Sequence, residues 1–133
     1  MIKLVLALVL LAHGIGHSMG PLAVFKIATI NPAWQGDSWL LAGLGATASQ
    51  VIGLLLWTAA LVGFTLLAAV TIGWLPPGWW APLAIVSAIA SLAGVVLFPA
   101  AFPLLSTIGA AVIDVAVLVA VVWLNWDPGR LAV

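Results

Sequence analysis

Long uninterrupted apolar runs dominate this chain, and they narrow its possible folds more than any motif does. A helix needs about 20 apolar residues to cross the hydrocarbon of a bilayer. Four stretches reach that length, residues 2–25, 39–75, 79–98 and 104–126. A spanning barrel needs short segments of alternating polarity instead, which this pattern does not offer. The reading is an all-α polytopic membrane protein, a four-helix up-down transmembrane bundle forming one domain over residues 1–133. Charge supports it. Only 5% of residues are charged, where soluble domains carry about 25%. They are Lys3, Lys26, Arg130, Asp37, Asp114 and Asp127, with no glutamate. So little charge cannot cover a water-facing surface, so the lipid bilayer is the solvent for most of the chain.

Breakers set the borders. Pro21 is expected to bend or end the first helix. Lys3 followed by Leu4–Ala12 could open a signal peptide, but apolar sequence resumes past Gly20, so an uncleaved first span fits better. The linker 26–38 holds Asn31-Pro32, Gly36 and Asp37 and is expected to be the one sizeable exposed feature. Ser38 is a candidate N-cap for the second helix. That stretch is too long for one upright span, so it is expected to start above the membrane and enter near Ser49 or Gln50, in preference to kinking at Gly43, Gly45 or Gly53. Pro76-Pro77-Gly78, Pro99 with Pro103, and Asp127-Pro128-Gly129 mark the remaining ends, with Pro82 in the first turn of the third helix. Seven of eight tryptophans fall at these borders, as an interfacial belt should; Trp57 does not. Four spans put both termini on one side. Lys3, Arg130 and the amino terminus against Lys26 alone then predict a multi-pass protein of the plasma (inner) membrane with both termini in the cytoplasm.

The polar residues inside the spans are few. His13 and His17, the only histidines, lie one turn apart and share a helical face. Ala12, Gly16 and Gly20 make a small-residue ridge beside them, so Gly16, Gly20 and Gly53 are expected at helix-packing seams. Asp114 lies near the middle of the fourth span, where an acid costs on the order of 2.5–3.5 kcal/mol on insertion scales. It must face protein or water, paired or protonated. Thr107 and Asn125 return to nearly its face, giving one polar stripe. Thr47, Gln50, Thr58 and Thr65 gather on one side of the second helix, and Ser87 and Ser91 share a face of the third. The first and last helices of a small bundle are commonly neighbours, so both imidazoles and the carboxylate are expected to meet near the midplane.

The segment LVLLAHGIGHSMG resembles the first helix of small DoxX-like four-helix membrane proteins, through its apolar run ending in His13-Gly14. The resemblance covers about the first twenty residues and the helix count. It implies the four-span fold and a class that includes partners of membrane-associated oxidoreductases. Where that family often has a basic residue shortly after His-Gly, this chain has His17 and Ser18.

Two functions follow. The first is a non-catalytic accessory or scaffold subunit, whose buried His/Asp cluster stabilises helix packing and which joins a larger membrane complex or itself. The second is a small-molecule or proton-handling site built from His13, His17 and Asp114 with Gln50 and Trp57 as walls; its ligand would be a quinone, a pigment, a lipid or a metal. The same trio is the candidate metal set. No motif specifies a cofactor. Bis-histidine haem ligation fits poorly, because two imidazoles on one helix face cannot reach both sides of one porphyrin, while a single histidine as axial ligand of a haem or chlorophyll-type pigment stays open. Cysteine chemistry is absent with the cysteines, no basic run exists for nucleic acid, and no catalytic motif or hydrolytic triad is evident.

Overall fold

The computed structural model describes residues 1–130 and contains, among them, helices and no strand. Four helical segments are long and apolar enough to cross a membrane: Ile2–Val24, Ala46–Thr71, Pro77–Leu97 and Leu104–Trp123. The chain is thus a membrane protein with the expected four-helix layout. It is built from α1 (Ile2–Gly16), α2 (Met19–Val24), α3 (Ala46–Thr71), α4 (Trp80–Leu97) and α5 (Leu104–Leu118), the last extended by a π-turn over Val119–Trp123.

The first span breaks, but four residues before its proline. Pro21 has no N–H to give the His17 carbonyl, and its ring crowds that carbonyl. Gly20 N–H takes the bond instead at 3.1 Å, and the N–H groups of His17 and Ser18 bond three residues back rather than four. The tightened turn at residues 17–18 separates α1 from α2.

The second span starts later than expected. Gly45 adopts φ +82°, in the left-handed region open to glycine, so the α-helix begins at Ala46 and residues 42–44 form only a 3₁₀ turn. Ser38 therefore caps no helix; its hydroxyl donates to Leu97 O at 2.6 Å. The linker 26–38 is not a free loop either. Asn31 Nδ2 donates to Ala100 O at 2.6 Å, and Trp34 meets Trp57 edge-on at 5.8 Å, so the segment caps one end of the bundle. Just beyond it, Trp39 Nε1 donates to Val96 O at 2.7 Å. Lys3, the α3 C-terminus and Asp127–Gly129 gather at the opposite end. Among the border tryptophans, Trp39, Trp74, Trp79 and Trp123 are exposed as a belt requires, but Trp80 is buried, donating to Trp126 O at 3.0 Å.

Packing follows chain order: α1 on α3, α3 on α4, α4 on α5. The first and last helices do meet, but through the 2.8 Å His13–Asp114 contact rather than along an extended seam: α1 and α5 flank the α3–α4 pair. Glycine decides where helices close up. A Cβ on Gly14 would lie 3.0 Å from Phe64 Cβ and 3.2 Å from Leu61 O, and one on Gly63 would overlap Ser87 Oγ. Gly20 and Gly53 do pack, both against Trp57, but Gly16 has nothing within 4 Å and Ala12 is exposed. The anticipated ridge therefore faces open space at Ala12 and Gly16, since α5 does not close onto it there.

Candidate functional site

His13 occupies the last turn of α1, and His17 the break that follows it. The break keeps their ring centroids 4.9 Å apart, edge to face. Phe64 of α3 packs edge-on against His13 at 4.4 Å and lies parallel to His17 at 6.2 Å. The close approach at Gly14 makes this packing possible.

Asp114 enters from α5 and is fully buried. Its Oδ1 lies 2.8 Å from His13 Nε2, and its Oδ2 accepts the Ser91 hydroxyl. Ser91, fully buried on α4, is in turn 3.0 Å from His17 Nε2. A continuous chain, His13–Asp114–Ser91–His17, thus ties three spans together. The sequence-derived trio does assemble, and it needs a fourth member that sequence reasoning left out of the site. Ser91 had shown only its i, i+4 pairing with Ser87, a common pattern. Ser87 itself bonds back to Leu83 O at 2.6 Å, within its own helix.

The other polar candidates go elsewhere. Thr47, Thr58 and Thr65 are exposed, with Thr65 bonded back to Leu61 O, because the buried face of α3 is its glycine and aromatic side. Gln50 sits against Gly36 in a polar crevice with Lys26 and Asn31 at the capped end, far along the chain from the histidines, and is not a wall of this site. Asn125 lies past the π-turn in the left-handed region, φ +46°, so it leaves the stripe expected on the fourth helix. Thr107 stays near, its hydroxyl donating to Pro103 O at 3.2 Å.

A cavity of about 390 Å³ fills the gap between α1 and α5. Its wall includes His13, His17, Gly16, Trp57, Thr107 and Ile113. Val9, Ala12, Ser106 and Gly109 also line it and are exposed, so it opens on the flank of the bundle between α1 and α5. Trp57 closes its inner end. The indole is 1% exposed and is gripped by three glycines: a Cβ on Gly20 would overlap the ring, and Cβ atoms on Gly53 and Gly94 would lie 3.0 Å and 2.9 Å from it. Trp57 Nε1 is the one fully enclosed side-chain nitrogen or oxygen without a hydrogen bond among the described residues. The Nδ1 atoms of His13 and His17 also make no hydrogen bond and are not fully enclosed, and both residues line the cavity.

No cationic side chain approaches this chain of bonds. Among the described residues the ion pairs are His13–Asp114 and the surface pair Arg130–Asp127. Nor, among the described residues, are three His or Asp side chains arranged to hold a metal ion. Both carboxylate oxygens of Asp114 are already engaged, so the anticipated metal set is a hydrogen-bond chain instead. Comparison with protein-family profiles, with curated proteins and with solved structures found no match to this chain.

Proposed function

We propose that this protein binds a small lipid-soluble molecule within the bilayer, in the crevice between α1 and α5. One observation carries the reading: the two histidines that line the cavity each spend Nε2 on the Asp114–Ser91 core and leave Nδ1 without a hydrogen bond. Ligand sites are commonly apolar hollows of about 300–1,000 Å³ with a few placed polar groups. Here the polar groups are held by buried partners, and the opening faces the phase in which such a ligand dissolves. In this reading both termini face the cytoplasm of a plasma (inner) membrane, and the His13-Gly14 helix groups the chain with DoxX-like proteins.

Replacing Gly109 tests it. Gly109 lines the cavity, and a Cβ there meets nothing within 4 Å. Protein purified from its own membranes is expected to carry one lipophile enriched over bulk lipid, detected by mass spectrometry of an organic extract, and Gly109→Leu is expected to lose it while folding normally. Identical extracts from the two proteins would refute the reading.

A second reading takes the same four side chains as a clamp that fixes helix register in a non-catalytic accessory or scaffold subunit. The complete burial of Asp114, with both oxygens occupied, favours it. Stoichiometric recovery of a larger membrane protein, by wild type and Gly109→Leu alike, would support that role.

A further inference from the structure

The cavity reading says where a ligand sits; the hydrogen-bond chain says what its polar end must be. We infer that His13 presents a donor and His17 an acceptor to the cavity, so the fitting ligand carries a hydroxyl head on an apolar tail. This rests on the cavity being a binding site.

Ser91 sets the polarity of the bond chain. A hydroxyl has one proton, and Ser91 gives it to Asp114 Oδ2. Toward His17, 3.0 Å away, Ser91 Oγ can only accept. The proton on His17 is therefore on Nε2, and its Nδ1 is a bare lone pair. His13 has the opposite sense. A carboxylate at mid-membrane with no counter-charge is costly, and such groups neutralise or pair. No Lys or Arg is near, so one proton must be held at Asp114's own contact, the 2.8 Å pair with His13 Nε2. It sits there because attraction between opposite charges rises as distance falls. Whether the proton resides on the nitrogen or on Asp114 Oδ1, His13 keeps its other proton on Nδ1. The two rings, with centroids 4.9 Å apart, thus offer one N–H and one lone pair. A hydroxyl oxygen satisfies both, accepting from His13 and donating to His17. An ether or ketone only accepts and leaves His17 unmet. Val9, Met19, Val95, Phe102 and Ile113 suit an alkyl or aryl tail.

The test is nitrogen NMR of protein labelled with ¹⁵N-histidine, in detergent, with the rings assigned through their backbone neighbours. Without ligand, His17 is expected to show a protonated Nε2 and a bare Nδ1, and His13 a protonated Nδ1. A bare Nδ1 on His13 overturns the inference before any ligand is added. Decanol and decyl methyl ether, equal in tail and differing in the hydroxyl proton, are then titrated. Decanol is expected to shift the His17 Nδ1 signal and to bind about tenfold more tightly than the ether, the worth of one well-made hydrogen bond. If both bind equally and the histidine signals stay put, the cavity stands and the polarity assignment falls. If neither binds, the cavity reading and the hydroxyl ligand fall together.

Discussion

Asp114 holds two partners, His13 and Ser91, one on each carboxylate oxygen. Removing one partner of a buried ionic pair costs about 3–5 kcal/mol, because the other is left unpaired. Asp114→Ala is expected to lose that much stability in denaturant unfolding in mixed micelles, whereas Asp114→Asn, which keeps an acceptor and the shape, loses much less. Trp57 predicts the reverse sign. Its unpaired N–H is a buried polar group whose desolvation costs about 1–3 kcal/mol, so Trp57→Phe, which keeps a ring in the glycine slot, is expected to leave stability equal or raised in the same assay. Asp114 was legible in the sequence because an acid in a long apolar run has to face inward and be met. Ser91 was not. Serines and threonines in such helices usually bond their own backbone, as Ser87, Thr65 and Thr71 do, and nothing in spacing alone tells which one turns outward to a partner.

At the level of elements, the decisive local event is the break at residues 17–18. It follows from Pro21, whose missing N–H frees the His17 carbonyl. Pro21→Ala is expected to fuse α1 with α2, raise helicity in circular dichroism, and carry His17 out of reach of Ser91. The readout is the loss of the His17 Nε2 hydrogen-bond signature in the nitrogen spectrum; an unchanged signature would show that the break is held by packing rather than by the proline. Span count and most helix ends were readable, since prolines and length write them directly. The start of α3 was not, because Gly45 ends the helix through its backbone angle, and several glycines in that stretch offered the same option. The capping role of the linker also stayed hidden. It depends on Trp34 and Asn31 reaching partners more than twenty residues away.

The whole molecule is asymmetric in how its helices are held. α3 and α4 form a tight central pair, with Gly63 pressed on Ser87, while α1 and α5 face each other across a gap spanned by His13–Asp114. Filling that gap should separate stability from binding. Gly109→Leu exchanges a helix-interior glycine for a strong helix former, a gain of up to about 1 kcal/mol, so a melting temperature equal to or above wild type is expected together with lost ligand. A variant that instead melts lower would mean that α5 already touches α1 closely here. That α1 and α5 do not close along their length was not legible from sequence, because in lipid both faces of such a helix are equally apolar, and only contacts decide which one is covered.

The order of the chain gives the buried acid one last consequence. His13, His17 and Ser91 all precede Asp114, so a ribosome completes and delivers them first. The costliest residue to place in a membrane is made only when its hosts are already there to receive it. α5 can then enter as a guest on a waiting site rather than as a lone charged helix, and a gene rearranged to make α5 first would ask the insertion machinery to hold that acid in oil with nothing to greet it.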